Sequence, residues 1–264
     1  MQRMHILLLV AVGLLVGTFV IALGSGGGSI YVGLLTAVLG LDPAAATATA
    51  LVTTLPSLVI GTWGYYEKKH MDFHKGNRML ISAIPSVIIC SIVSFWIPKA
   101  AYSYILASIL FFVGGVILYK AFRKEKNRKP AKGDGTRGGS SRKMWEVITI
   151  YTVFGVLGGV MAGIGGMSGG EPIFAGLLLL GDDVFETIST SSWVVICMGI
   201  LGASVHLIGG HVDWRAAIPL TIGATCGALV APIVARFITK GSRAKWLEGA
   251  LGLALIAMGI RDIV

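Results

Sequence analysis

The sequence predicts an all-α polytopic membrane protein made of two five-segment inverted repeats, each with one short half-helix after a glycine-rich break. Three observations support this prediction. The 264-residue chain is 55% hydrophobic and 13% charged, with a mean hydropathy of +0.80, which is too apolar for a soluble domain of this length. Its apolar stretches recur in the same order on both sides of a basic loop. A glycine-rich break interrupts the apolar pattern at a matching place in each half.

Ten apolar stretches are predicted to be helices. They cover residues 4–23, 29–40, 43–63, 77–97, 101–121, 145–164, 172–181, 184–208, 215–238 and 244–260. Most have about the ~20 residues that a helix needs to cross the hydrocarbon core, but the second and seventh have roughly 10–12 and would cover only about half of its ~30 Å. The first stretch resembles a signal peptide, but cleavage would remove the partner of a segment that recurs in the second half. We therefore predict that it is a helix.

A basic stretch divides the chain. Ten of the 22 Lys and Arg residues lie between Lys120 and Lys143, so we predict a first transmembrane repeat over 1–122, a basic cytoplasmic loop over 123–144 and a second transmembrane repeat over 145–264. The net charge of +9 is concentrated in this loop, and we predict no nucleic-acid partner. A patch for nucleic acid or anionic lipid in the loop is the lesser alternative.

The two halves align at an offset of 141 residues, which takes Thr49 to Thr190 and Asp72 to Asp213. The short helices need a further shift of two residues. Basic loops face the cytoplasm, and the three basic loops do so if every segment, short ones included, reverses the chain. Five reversals per half make the repeats inverted and put both termini outside. If the short segments instead re-enter without crossing, the 236–245 loop lies outside and breaks the rule.

The two breaks predict one binding site for a small anion, formed by two half-helix N-termini that come together near the membrane midplane. A helix that starts directly after a break offers free N–H groups and a positive dipole end, and glycine lets the backbone approach a ligand closely. The predicted substrate-binding residues are Ser25, Gly26, Gly27, Gly28, Ser168, Gly169 and Gly170, with Thr49 and Thr190 from the hydroxyl-rich helices that follow. The alternatives are tight helix packing for the glycines and bonds to their own helix for the hydroxyls.

Glu171 follows Gly170 at the second break, at a place that we expect to lie within the membrane. An intramembrane carboxylate indicates function by default, and desolvation would let it carry a coupling proton. The alternative is that Glu171 caps the short helix as an N-terminal anion. The sequence favours neither role over the other.

The remaining polar residues have simpler interpretations. Aspartates that precede predicted helices should cap them: Asp42, Asp72, Asp183 and Asp213. The three cysteines are predicted to be buried free thiols, and no spacing indicates a metal site, a disulfide framework or a cofactor.

The only crude catalytic pairing joins Ser192 or Cys197 to His206. These residues lie on one predicted helix, at separations of 14 and 9 residues. Such pairs cannot meet within that helix, so we predict no enzyme activity.

The order of these features resembles the TauE/SafE family of sulfite exporter-like membrane permeases. The resemblance depends on the Gly24-to-Gly28 break with its short helix, the run from Asp42 to Thr49, and the Met71-Asp72-Phe73 segment start, all repeated in plan after the central loop. It implies an exporter of sulfite or of a small organosulfonate such as sulfoacetate. The second break departs from the pattern in Met167 and Glu171.

The predicted function is therefore secondary transport of a small anion, sulfite or a sulfonate, out of the cell. The alternative is a channel-like pore for small anions. The expected surroundings are a lipid bilayer, with the protein as a multi-pass component of the inner (cytoplasmic) membrane. The number of chains in the assembly stays open, a homodimer being one option.

Overall fold

The computed structural model describes residues 2–22, 24, 28–41, 43–67, 71–94, 96, 99–122, 144–165, 168–208 and 212–239, with isolated positions 253, 256, 257 and 260. Within these residues every regular element is a helix, as predicted. The helices are α1 (Gln2–Ala22), α2 (Gly28–Leu39), α3 (Pro43–Tyr66), α4 (Phe73–Ser94), α5 (Lys99–Phe122), α6 (Met144–Gly165), α7 (Gly170–Leu180), α8 (Val184–Ile208) and α9 (Trp214–Ile238). The basic loop and most of the predicted tenth helix lie outside the described residues.

The helix boundaries agree with the apolar stretches to within a few residues. The largest difference is at α4, which begins at Phe73 instead of residue 77 because Asp72 caps a first turn that is polar. Five of the described helices are long and apolar enough to cross a membrane, and α7, at 11 residues, is too short. The chain is a multi-pass membrane protein, and its division into repeats stays a prediction.

Two pairs of helices pack most extensively, α1 with α9 and α4 with α6. Glycines form both contacts. A Cβ on Gly17 would lie 2.6 Å from the Cα of Ala224, and one on Gly159 would lie 2.7 Å from the carbonyl oxygen of Ala83. Both distances are too short for a real Cβ contact. Gly159 is therefore a packing glycine. The two seams are equivalent, because each joins the first helix of one half to the fourth helix of the other half.

The equivalent helices α4 and α9 begin at opposite ends of the bundle. Thr49, near the start of α3, contacts Asp213 at the start of α9, so α3 and α9 begin at the same end. Thr190, near the start of α8, likewise contacts Asp72 at the start of α4. Because α4 follows α3 after a short connection, it begins where α3 ends. Opposite directions for equivalent helices are what inverted repeats require, which favours that topology.

Large apolar side chains cover the outside of the bundle. On α9 the exposed stripe falls at a spacing of three to four residues: Ile222, Cys226, Leu229 and Ile233. This is the spacing of one helix face, and hydrocarbon is the solvent that accepts such a surface without cost.

The three cysteines are free thiols, as predicted. Their predicted burial is wrong for Cys226, which is exposed, and incomplete for Cys90 and Cys197, which are half-buried. Cys226 lies on the lipid-facing stripe of α9.

Candidate functional site

The N-terminal ends of the two short helices lie side by side inside the protein. The backbone N–H of Gly28, the first residue of α2, donates to the Oγ of Ser168, which lies two residues before α7, at 3.5 Å. Ser168 is 1% exposed, and Gly28 is buried. Two breaks that are 140 residues apart in the chain therefore meet in one place. Ser25, Gly26 and Gly27 lie outside the described residues.

The first break is held by a helix of the other half. Gly24 has a φ of 67°, its N–H donates to the carbonyl of Ile21 at 3.1 Å, and its own carbonyl accepts from the hydroxyl of Ser191 at 2.9 Å. A Cβ on Gly24 would lie 2.8 Å from the Cα of Ile188. Only glycine meets both conditions, the left-handed backbone and the close approach of α8.

The second break is built on a glycine pair. Gly169 precedes α7 with φ 63° and ψ 15° and provides no side-chain cap, and a Cβ there would overlap the carbonyl of Gly158 on α6. Gly158 is in turn a packing glycine, because a Cβ on it would lie 2.9 Å from the carbonyl oxygen of Gly169. The first N–H groups of a helix have no partner within that helix, so the start of α7 offers donors beside Ser168 and Gly28.

Glu171 lies in the first turn of α7 and is 6% exposed. The helix is buried from Gly170 through Leu178, so the carboxylate is enclosed by protein at the positive end of the short helix. An ionised carboxylate is costly at so buried a position. Its roles as proton carrier and as helix cap stay predictions.

Thr49 and Thr190 make equivalent contacts across the two halves. The hydroxyl of Thr49 accepts from the backbone N–H of Asp213, and that of Thr190 accepts from the N–H of Asp72, both at 3.0 Å. Both threonines are fully buried. A hydroxyl that accepts one bond keeps its own proton to donate, so the predicted contact with substrate stays a prediction. Five neighbouring hydroxyls bond carbonyls of their own helix, as the alternative interpretation expects: Thr54, Ser57, Ser189, Ser191 and Ser192.

Three of the four predicted aspartate caps are confirmed. The Oδ1 of Asp72 accepts from the N–H of Lys75 at 3.1 Å, and that of Asp213 accepts from the N–H of Arg215 at 2.9 Å. Asp183 accepts from the N–H of Phe185 at 3.2 Å. Asp42 lies outside the described residues.

Within the described part of the chain, no group of three or more His, Cys, Asp and Glu residues is arranged to hold a metal ion.

A charged cluster at the start of α4 was not expected from the sequence. The Nζ of Lys75 lies 2.6 Å from Asp182, 3.4 Å from Asp72 and 3.5 Å from Glu186. We call these four residues the Lys75 cluster. The sequence pattern predicts only a cap for Asp72, although a lysine three residues after an aspartate on a helix also indicates an ion pair. The contacts with Asp182 and Glu186 depend on the packing of α4 against α8.

Electrostatics in this cluster favour an ionised Asp72. Partial burial by itself would raise the pKa of its carboxyl. The backbone N–H and the ammonium of Lys75, together with the N–H of His74, outweigh that effect and hold the pKa of Asp72 below its usual value. Asp72 therefore caps α4 and pairs with Lys75 as an anion.

The bundle and its paired breaks define an all-helical, multi-pass membrane protein of the kind in which broken helices meet at a buried centre. The family model described as "Sulfite exporter TauE/SafE" matches residues 9–261, and the chain belongs to this family. It is 28% identical over 275 residues to the "Probable membrane transporter protein YunE" of Bacillus subtilis (strain 168), covering 98% of each chain. It is 24% identical to the "Probable membrane transporter protein YdhB" of the same organism, over 85% of this chain and 88% of that one.

Proposed function

We propose that this protein is a secondary transporter that exports sulfite or a small organosulfonate across the cytoplasmic membrane. The observation that carries the proposal is the contact of the Gly28 N–H with the Ser168 hydroxyl, because it brings the N-termini of α2 and α7 into one buried centre. The description of the family supplies the substrate class. The bacterial relatives support the cytoplasmic membrane as the location.

The proposed site binds the anion through neutral donors. Backbone N–H groups at the starts of α2 and α7 point toward the substrate, and the hydroxyl of Ser168 adds a further donor. Two helix dipoles with their positive ends together attract an anion without a lysine or arginine in contact. Binding by such donors is weak enough for release, as transport requires.

Movement of one half against the other gives alternating access in this proposal. The reciprocal pairs Thr49–Asp213 and Thr190–Asp72 connect the halves at opposite ends of the bundle, where a rocking motion would open one end and close the other. An inside-negative potential drives an anion outward by ~2.3 kcal/mol per charge per 100 mV. Export therefore proceeds without an obligatory coupling ion.

Proton coupling through Glu171 is a separate part of the proposal. A buried carboxylate at the start of α7 occupies the position that favours a substrate anion. Protonation of Glu171 removes the competing charge, so that the anion and the proton are bound together. Glu171→Gln should then transport without pH dependence. Glu146→Gln is the matched control, since Glu146 also lies in the first turn of a helix but outside the breaks.

The test is counterflow in proteoliposomes of the purified protein. Labelled sulfite is followed at two pH values, with sulfate, sulfoacetate and taurine as competitors. We expect saturable sulfite exchange that Ser168→Ala weakens and that Gly27→Val abolishes, because valine blocks close backbone approach. Ser204→Ala is the matched control for Ser168→Ala, since that hydroxyl is exposed and bonds its own helix at Ile200.

The outcomes separate the parts of the proposal. Flux that never saturates, without acceleration by substrate on the far side, would favour a channel over a transporter. No exchange of any sulfur oxyanion would withdraw the substrate class, and carboxylates would be the next substrates to measure. Normal exchange by a well-folded Gly27→Val protein would refute the site.

A further inference from the structure

We propose that the Lys75 cluster is the contact that closes one end of the transport pathway, and that it opens for the substrate to pass. The proposal depends on the proposed transport function and adds the residues that control one gate. Lys75 joins three elements at this end: α4, which carries it, the turn between α7 and α8, which carries Asp182, and α8, which carries Glu186.

The cluster is placed where it can act on the binding centre. Asp182 follows the C-terminal end of α7, and Ser168 and Glu171 lie at its other end. With 11 residues, α7 is ~16 Å long. A short helix that is buried through most of its length moves as a rigid body, so separation of Asp182 from Lys75 would displace the start of α7 as well.

Among the described residues, the ion pairs between side chains lie at this end of the bundle. The offset of 141 residues pairs the Lys75 cluster with positions in the other half that, apart from Asp213, carry no charge. These positions are Leu41, Ala45 and Ala216. Both ends retain the threonine–aspartate hydrogen bond, so the cluster is an addition to a shared plan. Asp182, at 7% side-chain exposure, is the most enclosed of the carboxylates that contact Lys75, which makes the Lys75–Asp182 pair the centre of the contact.

Two buried threonines provide reporters, one beside the Lys75 cluster and one away from it. Thr187 lies on α8 one residue after Glu186, and Thr53 lies near the middle of α3, ten residues after its start at Pro43. Both are fully buried, and neither hydroxyl has a hydrogen-bond partner within the described part of the chain. Replacement by cysteine therefore breaks no observed hydrogen bond at either position.

The experiment measures the rate at which a thiol reagent labels an introduced cysteine. The protein is in detergent, so that the reagent has access to both ends of the bundle. Cys90, Cys197 and Cys226 are first replaced by alanine, and Thr187→Cys or Thr53→Cys is added. We expect Lys75→Met and Asp182→Asn each to raise the labelling rate at position 187 about ten-fold, a difference of ~1.4 kcal/mol between closed and open states. The conservative change Lys75→Arg keeps the positive charge beside all three carboxylates and should leave the rate close to that of the parent. Arg78→Gln, at an exposed position on the same helix, is the matched control and should change nothing.

The failures are distinguishable. Unchanged labelling at position 187 in both Lys75→Met and Asp182→Asn overturns the proposal. An equal rise at positions 187 and 53 also overturns it, since that is general loosening of the fold. If neither position is labelled in the parent or in any variant, the gate proposal fails, and sulfite counterflow by the parent protein decides separately whether the transport function stands. Asp182→Asn preserves the shape of the side chain and keeps the test valid if Lys75→Met does not fold.

Discussion

The hydroxyl of Thr49 on α3 accepts a hydrogen bond at 3.0 Å from the backbone N–H of Asp213, the residue that caps α9. The same contact joins Thr190 to Asp72. The two threonines are 141 residues apart, as are the two aspartates, and this is the offset that relates the halves of the sequence. Each half therefore satisfies a backbone donor of the other. The contact is a consequence of pairing the two halves, and neither half could make it alone.

Loss of these hydroxyls should destabilise the protein. Thr49→Val and Thr190→Val each leave a partly buried N–H without its acceptor, which costs about 1–3 kcal/mol. Thr49→Ser keeps the hydroxyl and is the control. Thermal unfolding in detergent, followed by intrinsic tryptophan fluorescence, measures the difference. Equal midpoints for Thr49→Val and Thr49→Ser would show that the hydrogen bond contributes nothing.

Gly169→Ala should impair the second break. Its φ of 63° costs about 1–2 kcal/mol for alanine, and the added Cβ overlaps the carbonyl of Gly158. Gly40→Ala is the matched control, because Gly40 has φ 64° and nothing within 4 Å of a built Cβ. The midpoint of thermal unfolding should fall further for Gly169→Ala, and sulfite counterflow should be lost there only. Similar effects of the two substitutions would mean that the contact with Gly158 has no consequence.

The glycine seam between α4 and α6 should not tolerate a methyl group. Gly159→Ala places a Cβ 2.5 Å from the Cβ of Ser86, and overpacking of this kind costs about 1–3 kcal/mol. Gly115→Ala, on α5 with nothing within 4 Å, should be neutral or stabilising by up to ~1 kcal/mol through helix propensity. Unfolding midpoints of the two variants give the comparison. A neutral Gly159→Ala would require the two helices to separate without cost.

Acid should remove part of the stability through Asp72. Its pKa is lower in the folded protein than in the unfolded chain, so its contribution is complete above about pH 3.9 and disappears as the pH falls through the folded value. Asp72→Asn should therefore flatten the decline of the unfolding midpoint below about pH 4. Lys75→Met should also flatten the decline, because loss of the ammonium raises the folded pKa of Asp72 toward its unfolded value. Parallel curves for all three proteins would exclude this ion pair as a source of acid sensitivity.

Much of the fold could be predicted from local pattern. Apolar stretches located the nine described helices because a bilayer requires length and continuous hydrophobicity. The Asp–helix boundaries located the caps, because the capping bond is made within three residues. The paired breaks predicted where two short helices would begin, and α7 begins two residues earlier than expected, at Gly170.

The candidate site was only partly predictable. Glycine and serine at the breaks indicated free N–H groups. Nothing in the sequence indicates that the carbonyl of Gly24 accepts a hydrogen bond from the hydroxyl of Ser191. That contact joins residues 167 positions apart. The Lys75 cluster was missed for the same reason, since a charge beside a helix start has a capping or solvated explanation until its neighbours on another helix are known.

The sequence by itself determined that this is a multi-pass helical membrane protein with two broken regions, because hydrophobic length and glycine position act on the chain locally. Only the tertiary structure decided that the starts of α2 and α7 meet, that Thr49 and Thr190 hold the opposite half, and that Lys75 reaches Asp182 on a distant turn. These contacts depend on how the helices cross, and crossing is set by the packing of whole surfaces in three dimensions. The spacing of residues along one chain contains too little of that information.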